Sequence, residues 1–336
     1  MKILIYISVF LMMSFASIFA QDIHFSQYKE AAQFINPALT GRFPADHRVV
    51  LNYRSQWSSV AEPYRTMGFQ YDANIKLNRR AKDAIGLGLS FYDDKAGAGD
   101  MGIGQIAFAV SYTKTMDSKN FFTFGMQASY IYNHLDIEKL TWDSQYDGSH
   151  FDASLPANES GYAETFSYFD FNTGINWEFI ANKTTSYYAG VALLHLKRNE
   201  LKFKLNSDEI LHKRYTVIAG FSKKINSTVT VKPSVYYQHQ GPANEVIFGS
   251  QFKYKVDESV RNKSMLDMYF TLGAYYRYGD AFIFSAGYSY MNFTVRLSYD
   301  INSSSLAIVS KNKGGFEISL IYMTPYKRAY RGSSLL

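Results

Sequence analysis

Hydrophobic and polar residues alternate with a period of two along most of this chain, and no other feature restricts the fold as strongly. Between positions 293 and 300 the apolar residues are Phe293, Val295, Leu297 and Tyr299, and the polar ones are Thr294, Arg296, Ser298 and Asp300. Because successive side chains of a strand point to opposite faces, the pattern predicts a strand with one apolar face and one polar face. Helical spacing, at 3.6 residues per turn, does not fit it.

The same alternation predicts fourteen strands, many of them close to the ten or so residues that a tilted strand needs to cross a bilayer. The predicted strands are residues 47–54, 63–75, 84–93, 102–114, 120–131, 163–179, 185–195, 213–223, 228–238, 244–254, 266–277, 280–290, 292–301 and 314–324. The even number is typical of a bacterial outer-membrane barrel.

Two architectures can use such strands. A soluble sandwich buries the apolar faces between two sheets and usually stops at about seven to nine strands. A membrane barrel turns the apolar faces to lipid and the polar faces to its lumen. Tyrosines near the predicted strand ends fit the aromatic girdles of a barrel: Tyr53, Tyr71, Tyr92, Tyr130, Tyr237, Tyr276, Tyr290, Tyr299 and Tyr322. We therefore predict an all-β fold, a transmembrane outer-membrane β-barrel of about 14 antiparallel strands.

The lengths of the connections also favour the barrel. If the N-terminus is periplasmic, every second connection is a periplasmic turn, and most of these are short. Two of them, 76–83 and 255–265, are longer than expected. The three longest connections on the other side are 132–162, 196–212 and 302–313. Long outer loops and tight inner turns are the pattern of bacterial outer-membrane barrels.

Composition excludes several other classes of protein. The mean hydropathy of −0.21 is too low for a helical membrane protein, which needs repeated apolar stretches of about 20 residues. The chain has no cysteine, which excludes a disulfide scaffold and thiolate metal sites. The net charge of +6 over 336 residues is mild, and we expect no nucleic-acid partner.

The chain divides into four predicted segments. A short positive start followed by an apolar run from Ile3 to Phe19 favours a signal peptide over a transmembrane anchor. The segment before the first strand carries apolar residues in no regular pattern, and we expect it to pack against the periplasmic mouth or plug the lumen. The predicted segments are a signal peptide at 1–20, a plug-like segment at 21–46, the barrel at 47–324 and a basic tail at 325–336.

Residues that suggest chemistry are few. Gly97, Gly99 and Gly102 match GxGxxG, but both flanks are strands, so a glycine-rich hairpin tip is favoured over a dinucleotide site. His195 ends the seventh predicted strand, and we interpret it as an interface residue because no nucleophile motif accompanies it. We expect no catalytic residues and no cofactor.

The predicted connection 132–162 is rich in acidic residues, among them Asp136, Glu138, Asp143, Asp147 and Asp152. The first four of these are candidates for partner binding. The spacing of Asp143 and Asp147 is similar to the opening of a calcium loop, but Ser154 stands where such a loop requires a bidentate Glu. A solvated acidic loop is therefore favoured, and calcium at Asp143, Asp147 and Asp152 is the weaker alternative.

Short motifs in a fixed order give the chain a family resemblance. The N-terminal motif runs from Gln21 to Tyr28 and is followed by Asn36, Pro37, Ala38 and Gly41. The later motifs are Tyr53 to Trp57, Pro63 to Thr66, Gly86 to Gly97, Gly287 to Tyr290, Leu297 to Asp300 and Glu317 to Tyr322. Together they resemble the PorP/SprF family of outer-membrane proteins of the type IX secretion system. The resemblance marks as family-motif and partner-binding candidates Phe25, Ser26, Gln27, Tyr28, Asn36, Pro37 and Gly41.

The resemblance implies a role in protein export. The implied location is the outer membrane, where the chain contacts lipid and other type IX secretion components. It also implies a secreted cargo protein, recognised by its type IX C-terminal domain, such as an adhesin attached to the surface in gliding motility. The alternative is a passive transporter for small or hydrophobic solutes, similar to the fatty-acid channel barrels. A barrel hydrolase is the third and weakest interpretation.

Overall fold

The structure is a computed structural model that describes residues 22–56, 63–77, 83–97, 99–152, 154–156, 162–202, 209–256, 268–304 and 307–324. The predicted signal peptide and the predicted basic tail lie outside these residues and stay predictions. The side chain of Glu138 also lies outside the described part of the chain.

Fourteen antiparallel strands form a closed barrel in which each strand pairs with its sequence neighbours and β14 closes on β1. The strands are β1 His47–Gln56, β2 Tyr64–Lys76, β3 Ala84–Ala96, β4 Met101–Thr115, β5 Asn120–His134, β6 Thr165–Ile180, β7 Thr185–Leu194, β8 Arg214–Lys224, β9 Val229–Gln240, β10 Ala243–Lys255, β11 Tyr269–Arg277, β12 Ala281–Tyr290, β13 Phe293–Asn302 and β14 Lys313–Met323. The predicted barrel and its strand number are confirmed. Several strands continue a few residues beyond their predicted ends, as β3 does to Ala96 and β5 to His134.

Within the described residues, the other regular elements are short. Two helices of one turn, α1 (Ala32–Ile35) and α2 (Ala307–Ser310), lie before β1 and between β13 and β14. Single 3₁₀ turns occur at Tyr28–Glu30, Pro37–Leu39, Ile137–Lys139 and Asp143–Gln145. In the described part of the chain, none of the helices has the length and apolar character that a membrane span requires.

The apolar face of the barrel points outward. In β13, Leu297 is 42% exposed while its neighbour Ser298 is 3% exposed, and the same alternation continues along the strand. Polar and charged side chains such as Arg54 and Glu317 are buried inside. An apolar exterior around a polar interior is the reverse of a soluble protein and matches a barrel surrounded by lipid.

The two ends of the barrel differ. We call the end where β1 begins and β14 ends the inner end, and the opposite one the outer end. The predicted glycine-rich hairpin tip is found at the outer end, where a turn that includes Gly97 and Asp100 joins β3 to β4. Gly97 has a φ of +68°, which glycine adopts without strain.

One tyrosine of the predicted girdle was assigned to the wrong face. Tyr92 is 7% exposed and points into the barrel, where its ring packs edge-on against Phe34. Its position in β3 is on the polar face, between the inward Ser90 and Asp94. Of the other predicted girdle residues, Tyr130, Tyr290 and Tyr299 are exposed. The rest are half-buried: Tyr53, Tyr71, Tyr237, Tyr276 and Tyr322.

The outward face of β13 gives a depth-dependent test. Leu297→Arg places a charge near the middle of the lipid-facing strand and should cost about 2–4 kcal/mol of unfolding free energy. Phe293→Arg changes the same face at the end of the same strand and should cost about 0–1 kcal/mol. Urea unfolding of the barrel refolded in liposomes measures both values. Equal costs at the two positions would contradict the assignment of this face to lipid.

Candidate functional site: the lumenal segment and the outer connections

Residues 22–46, here called the lumenal segment, lie inside the barrel and run from its outer end to its inner end. At the outer end, the backbone N–H of Asp22 donates to the side-chain oxygen of Gln240, the last residue of β9. At the inner end, Arg42 forms a salt bridge with Glu178, close to the end of β6. All seven motif candidates of the N-terminal region are in this segment and are buried against the wall of their own barrel.

The wall holds the segment by its backbone at Ser26 and Gln27. The two carboxylate oxygens of Glu317 accept the N–H groups of these residues, at 2.6 and 2.9 Å. The side chain of Gln27 donates to the hydroxyl of Ser298, at 3.1 Å. One carboxylate on β14 therefore replaces the hydrogen bonds that two consecutive amides lose when they leave water.

Four charged side chains of the wall surround Ser26. The Ser26 hydroxyl donates to Asp300, at 2.6 Å, and accepts hydrogen bonds from Arg54 and Arg277. Arg54 also forms a salt bridge with Glu317, and Arg277 forms one with Asp300. These four side chains are almost fully buried, and pairing offsets the cost of removing them from water.

The cluster unites motifs that are far apart in the sequence. Arg54, Asp300 and Glu317 belong to three of the later motifs, and Ser26 belongs to the first. The period-two pattern places the three charged residues on inward faces but does not show that they meet. Sequence reasoning missed Arg277 and its second partner Glu245, and the signal that could have found them is a charge on an inward face.

Two aromatic clusters hold the rest of the first half of the lumenal segment against the wall. Phe25 and Phe34 stack with their ring centres 5.9 Å apart, and Tyr92 closes this group. Tyr28 stacks on Tyr236 at 5.0 Å, and its hydroxyl hydrogen-bonds to Ser234. Both groups join the segment to the wall, so they bury apolar surface within an otherwise polar lumen.

Glycines on the wall allow the segment to approach closely at Asn36 and Pro37. A Cβ atom added to Gly125 would lie 2.4 Å from backbone atoms of Pro37 and Ala38. One added to Gly174 would lie 2.1 Å from the side-chain oxygen of Asn36. Asn36 in turn donates to the backbone carbonyls of Ile175 and Val191 on the wall and caps the turn at Pro37 by accepting from Ala38.

Gly41 lies where the segment turns toward the inner end. Its φ of +72° is in the left-handed region, and an added Cβ would lie 2.7 Å from the Cα of Gly86. Its N–H donates to Asp72, whose carboxylate also accepts two hydrogen bonds from Arg48. Conformation and space both require glycine here.

His195 is a second anchor at the outer end, and our interpretation of it as an interface residue was wrong. Its ring lies buried between the carboxylates of Asp170 and Asp22, and Arg214 also contacts Asp22, at 3.1 Å. Burial by itself would lower the pKa of His195, but the two carboxylates outweigh it and raise the pKa to about 9. The predicted strand extends to this residue, whereas β7 ends at Leu194 and His195 has a φ of +58°, so the alternation of the strand no longer fixes the direction of its side chain.

The outer connection between β5 and β6 is folded onto the rim. The backbone N–H of Leu135 donates to the carbonyl of Glu164, and that of Asp136 donates to the carbonyl of Gly99 in the β3–β4 tip. Lys139 forms a salt bridge with Asp100. Asp143 and Asp147 are exposed, whereas Asp136 and Asp152 are half-buried. Tyr146 and Phe151 are also exposed, at 56% and 46%.

The carboxylates of this connection do not converge. Asp147 accepts hydrogen bonds from the N–H groups of Ser149 and His150, and Asp152 accepts from Ser154. Asp136 pairs with Lys139. Across the described ranges, no three His, Asp or Glu side chains are grouped so that they could share a metal ion.

Comparison with known families decides the identity. Residues 17–322 match the family described as type IX secretion system membrane protein PorP/SprF. The chain belongs to the PorP/SprF family. The match spans the lumenal segment and nearly all of the barrel, up to Tyr322 in β14.

Solved structures show the same fold at low identity. A Pseudomonas aeruginosa FadL homologue aligns with a TM-score of 0.52 and 10% identity, covering 91% of this chain and 95% of that one. The deltaS2 mutant of TodX, a monoaromatic hydrocarbon channel of P. putida, has the same TM-score and identity over 87% of this chain and 93% of its own. No protein with a curated description matches the sequence.

This PorP/SprF protein is therefore an outer-membrane component of the type IX secretion system, and the family implies other secretion components as its partners. Neither the family nor these structural neighbours are described as enzymes. The seven N-terminal motif candidates of this chain are buried in the contacts that hold the lumenal segment in the barrel.

The glycine contacts predict a specific effect on the lumenal segment. Gly125→Ala should loosen the segment, because the added Cβ meets backbone atoms that cannot move without breaking the turn at Pro37. Trypsin should then cut at Lys29 and Arg42 faster than in the wild type, while the folded barrel still migrates faster on gels unless boiled. Gly104→Ala, where the nearest atom would be 3.9 Å away, is the matched control and should change neither property. Equal trypsin sensitivity of all three proteins would contradict the close contact.

His195 predicts a pH dependence of stability. Its pKa is about 9 in the folded barrel, against about 6.5 when unfolded, so the folded state binds the proton more tightly. This stabilisation is complete below about pH 6.5 and is lost as the pH rises through about 9. The unfolding free energy of the wild type should therefore exceed that of His195→Gln at pH 6.5 by up to about 3 kcal/mol. Urea unfolding at pH 6.5, 8 and 10 should show this difference shrinking, and a difference independent of pH would contradict the charged pairing.

Proposed function

We propose that this protein holds secreted cargo at the cell surface by binding the type IX C-terminal domain of the cargo at its outer connections. The cargo in this proposal is one or a few large proteins, such as adhesins that support gliding motility. The secretion role follows from the family, whereas the cargo and the binding surface are the proposal.

The observation that carries the proposal is the occupied lumen. The lumenal segment crosses the barrel from end to end, and its contacts with Glu317, Asp300 and His195 close the outer half. The strand exteriors face lipid. A folded partner outside the cell can therefore meet this protein only at the outer connections, which are carried on a rigid scaffold as recognition loops commonly are.

The outer connections present both charge signs. The β5–β6 connection exposes Asp143 and Asp147 beside the aromatic rings of Tyr146 and Phe151. The β7–β8 connection exposes Lys197, Arg198, Lys202 and Lys213. Aromatic side chains beside a charged rim are typical of protein interfaces, and separate acidic and basic areas select partners by complementarity.

The amount of cargo protein displayed on the cell surface measures this proposed role. Deleting the gene should remove one or a few large proteins from the cell surface and leave unrelated outer-membrane barrels in place. Replacing residues 136–160 by a short Gly/Ser linker should cause part of the same loss while the barrel stays folded. The charge contribution is tested by Asp143→Asn combined with Asp147→Asn, which should weaken cargo retention.

The matched control is Asp117→Asn, which neutralises an exposed carboxylate in the β4–β5 turn at the inner end. It should retain cargo as the wild type does. If the deletion impaired uptake of a small molecule while every secreted protein reached the surface, the transporter alternative would replace this proposal.

A further inference from the structure

A cavity of about 290 Å³ lies between the lumenal segment and the wall in the inner half of the barrel. Met291 and Asn292 of the β12–β13 turn and Met323 at the end of β14 line its mouth, so it opens at the inner end. Its size is at the lower limit of small-molecule pockets and is too small for a folded domain.

One side of the cavity is apolar. Ile35, Leu39 and Ile218 line it, and Ile35 and Ile218 are buried in the hydrophobic cluster around Tyr28. Surface of this kind accepts a hydrocarbon chain, because it has no polar groups that would lose hydrogen bonds to water.

Another part of the lining carries an excess of positive charge. Lys29, Lys232, Lys253 and Arg296 all line the cavity, and Lys232 lies within electrostatic reach of the other three. Two carboxylates also line the cavity, and both are already paired, Glu30 with Arg296 and Glu178 with Arg42. Lys29 and Lys232 therefore add positive charge that these carboxylates do not balance.

Two of these lysines, Lys29 and Lys232, are held without a carboxylate at salt-bridge distance within the described residues. Lys29 lies over the ring of Tyr275, 5.6 Å from its centre. The Nε of Arg296 is buried and has no hydrogen-bond partner among the described residues. Clustered cations in partly buried positions are unfavourable unless an anion joins them.

We propose that this cavity binds a small anionic amphiphile, which is a single hydrocarbon chain ending in a carboxylate or a phosphate. The anionic group lies among Lys29, Lys232 and Arg296, where the unpartnered Nε supplies a hydrogen-bond donor. The chain lies on Ile35, Leu39 and Ile218. A ligand of this class would enter from the periplasm. Its source is either a free fatty acid, which carries the carboxylate, or a single-chain phospholipid, which carries the phosphate. The inference is independent of the cargo role, which uses the opposite end of the barrel.

The test uses the full mature barrel in nanodiscs of zwitterionic lipid, with empty nanodiscs as the background. The probe is 11-(dansylamino)undecanoate, compared with its methyl ester, which has the same chain without the charge. The wild type should bind the acid at least about tenfold more tightly than the ester, as expected for a charge-assisted hydrogen bond. Displacement by laurate and by dodecyl phosphate then distinguishes a carboxylate source from a phosphate source, and displacement by either supports the proposal.

Lys232→Met is the informative variant, because it removes a cation and leaves no carboxylate unpaired. It should weaken binding of the acid by about tenfold, leave binding of the ester unchanged, and raise the unfolding temperature of the empty barrel by relieving repulsion. Lys119→Met removes the same charge from an exposed turn at the inner end and should bind both probes as the wild type does. The proposal is overturned if the acid and its ester bind equally well, or if Lys232→Met and Lys119→Met behave alike. It is also overturned if hexaglutamate, an acidic peptide without a hydrocarbon chain, displaces the probe better than laurate does.

Discussion

A ring of fourteen strands is wider than its own inward side chains can fill, and this space is the constraint on which the rest of the structure depends. Barrels of about eight strands are filled by their side chains, whereas larger ones enclose a lumen. Here residues 22–46 occupy that lumen, and their backbone amides must find partners away from bulk water. The wall supplies carboxylates for this purpose at Glu317 and Asp72, and each carboxylate is in turn paired with an arginine.

This arrangement gives the motifs singled out in the sequence one physical task, which is to hold the lumenal segment in the barrel. Ser26 and Gln27 meet Glu317, Asn36 meets wall carbonyls, and Gly41 meets Asp72. Residues that would be taken for a partner-binding surface are instead directed toward their own barrel. In our proposals, the outer connections serve recognition outside the cell, and the cationic cavity takes its ligand from the inner side. The filled lumen thus separates the protein into two faces with different chemistry.

The local pattern predicted the barrel because the side-chain direction of a strand is fixed by its position. It predicted that Leu297 and Ser298 face opposite sides, and that the chain between Gly97 and Asp100 is a hairpin tip. It could not predict the contacts of the lumenal segment, because Ser26 and Glu317 are 291 positions apart and no local period relates them. It also failed for His195, which lies just beyond a strand, and for Tyr92, where an aromatic side chain occupies an inward position.

A disulfide trap across the lumen tests the central claim most directly, and the absence of native cysteines makes the result unambiguous. A Cβ added to Gly88 on β3 would lie 2.7 Å from the Cγ2 of Thr40, which places the two Cβ atoms within reach of a disulfide. In intact outer membranes, Thr40→Cys combined with Gly88→Cys should cross-link spontaneously. Thr40→Cys combined with Gly104→Cys should not, because nothing of the segment lies within 4 Å of that position. Efficient cross-linking of the first pair alone is the result that a filled lumen predicts, and no cross-link, or equal cross-linking of both pairs, would contradict it.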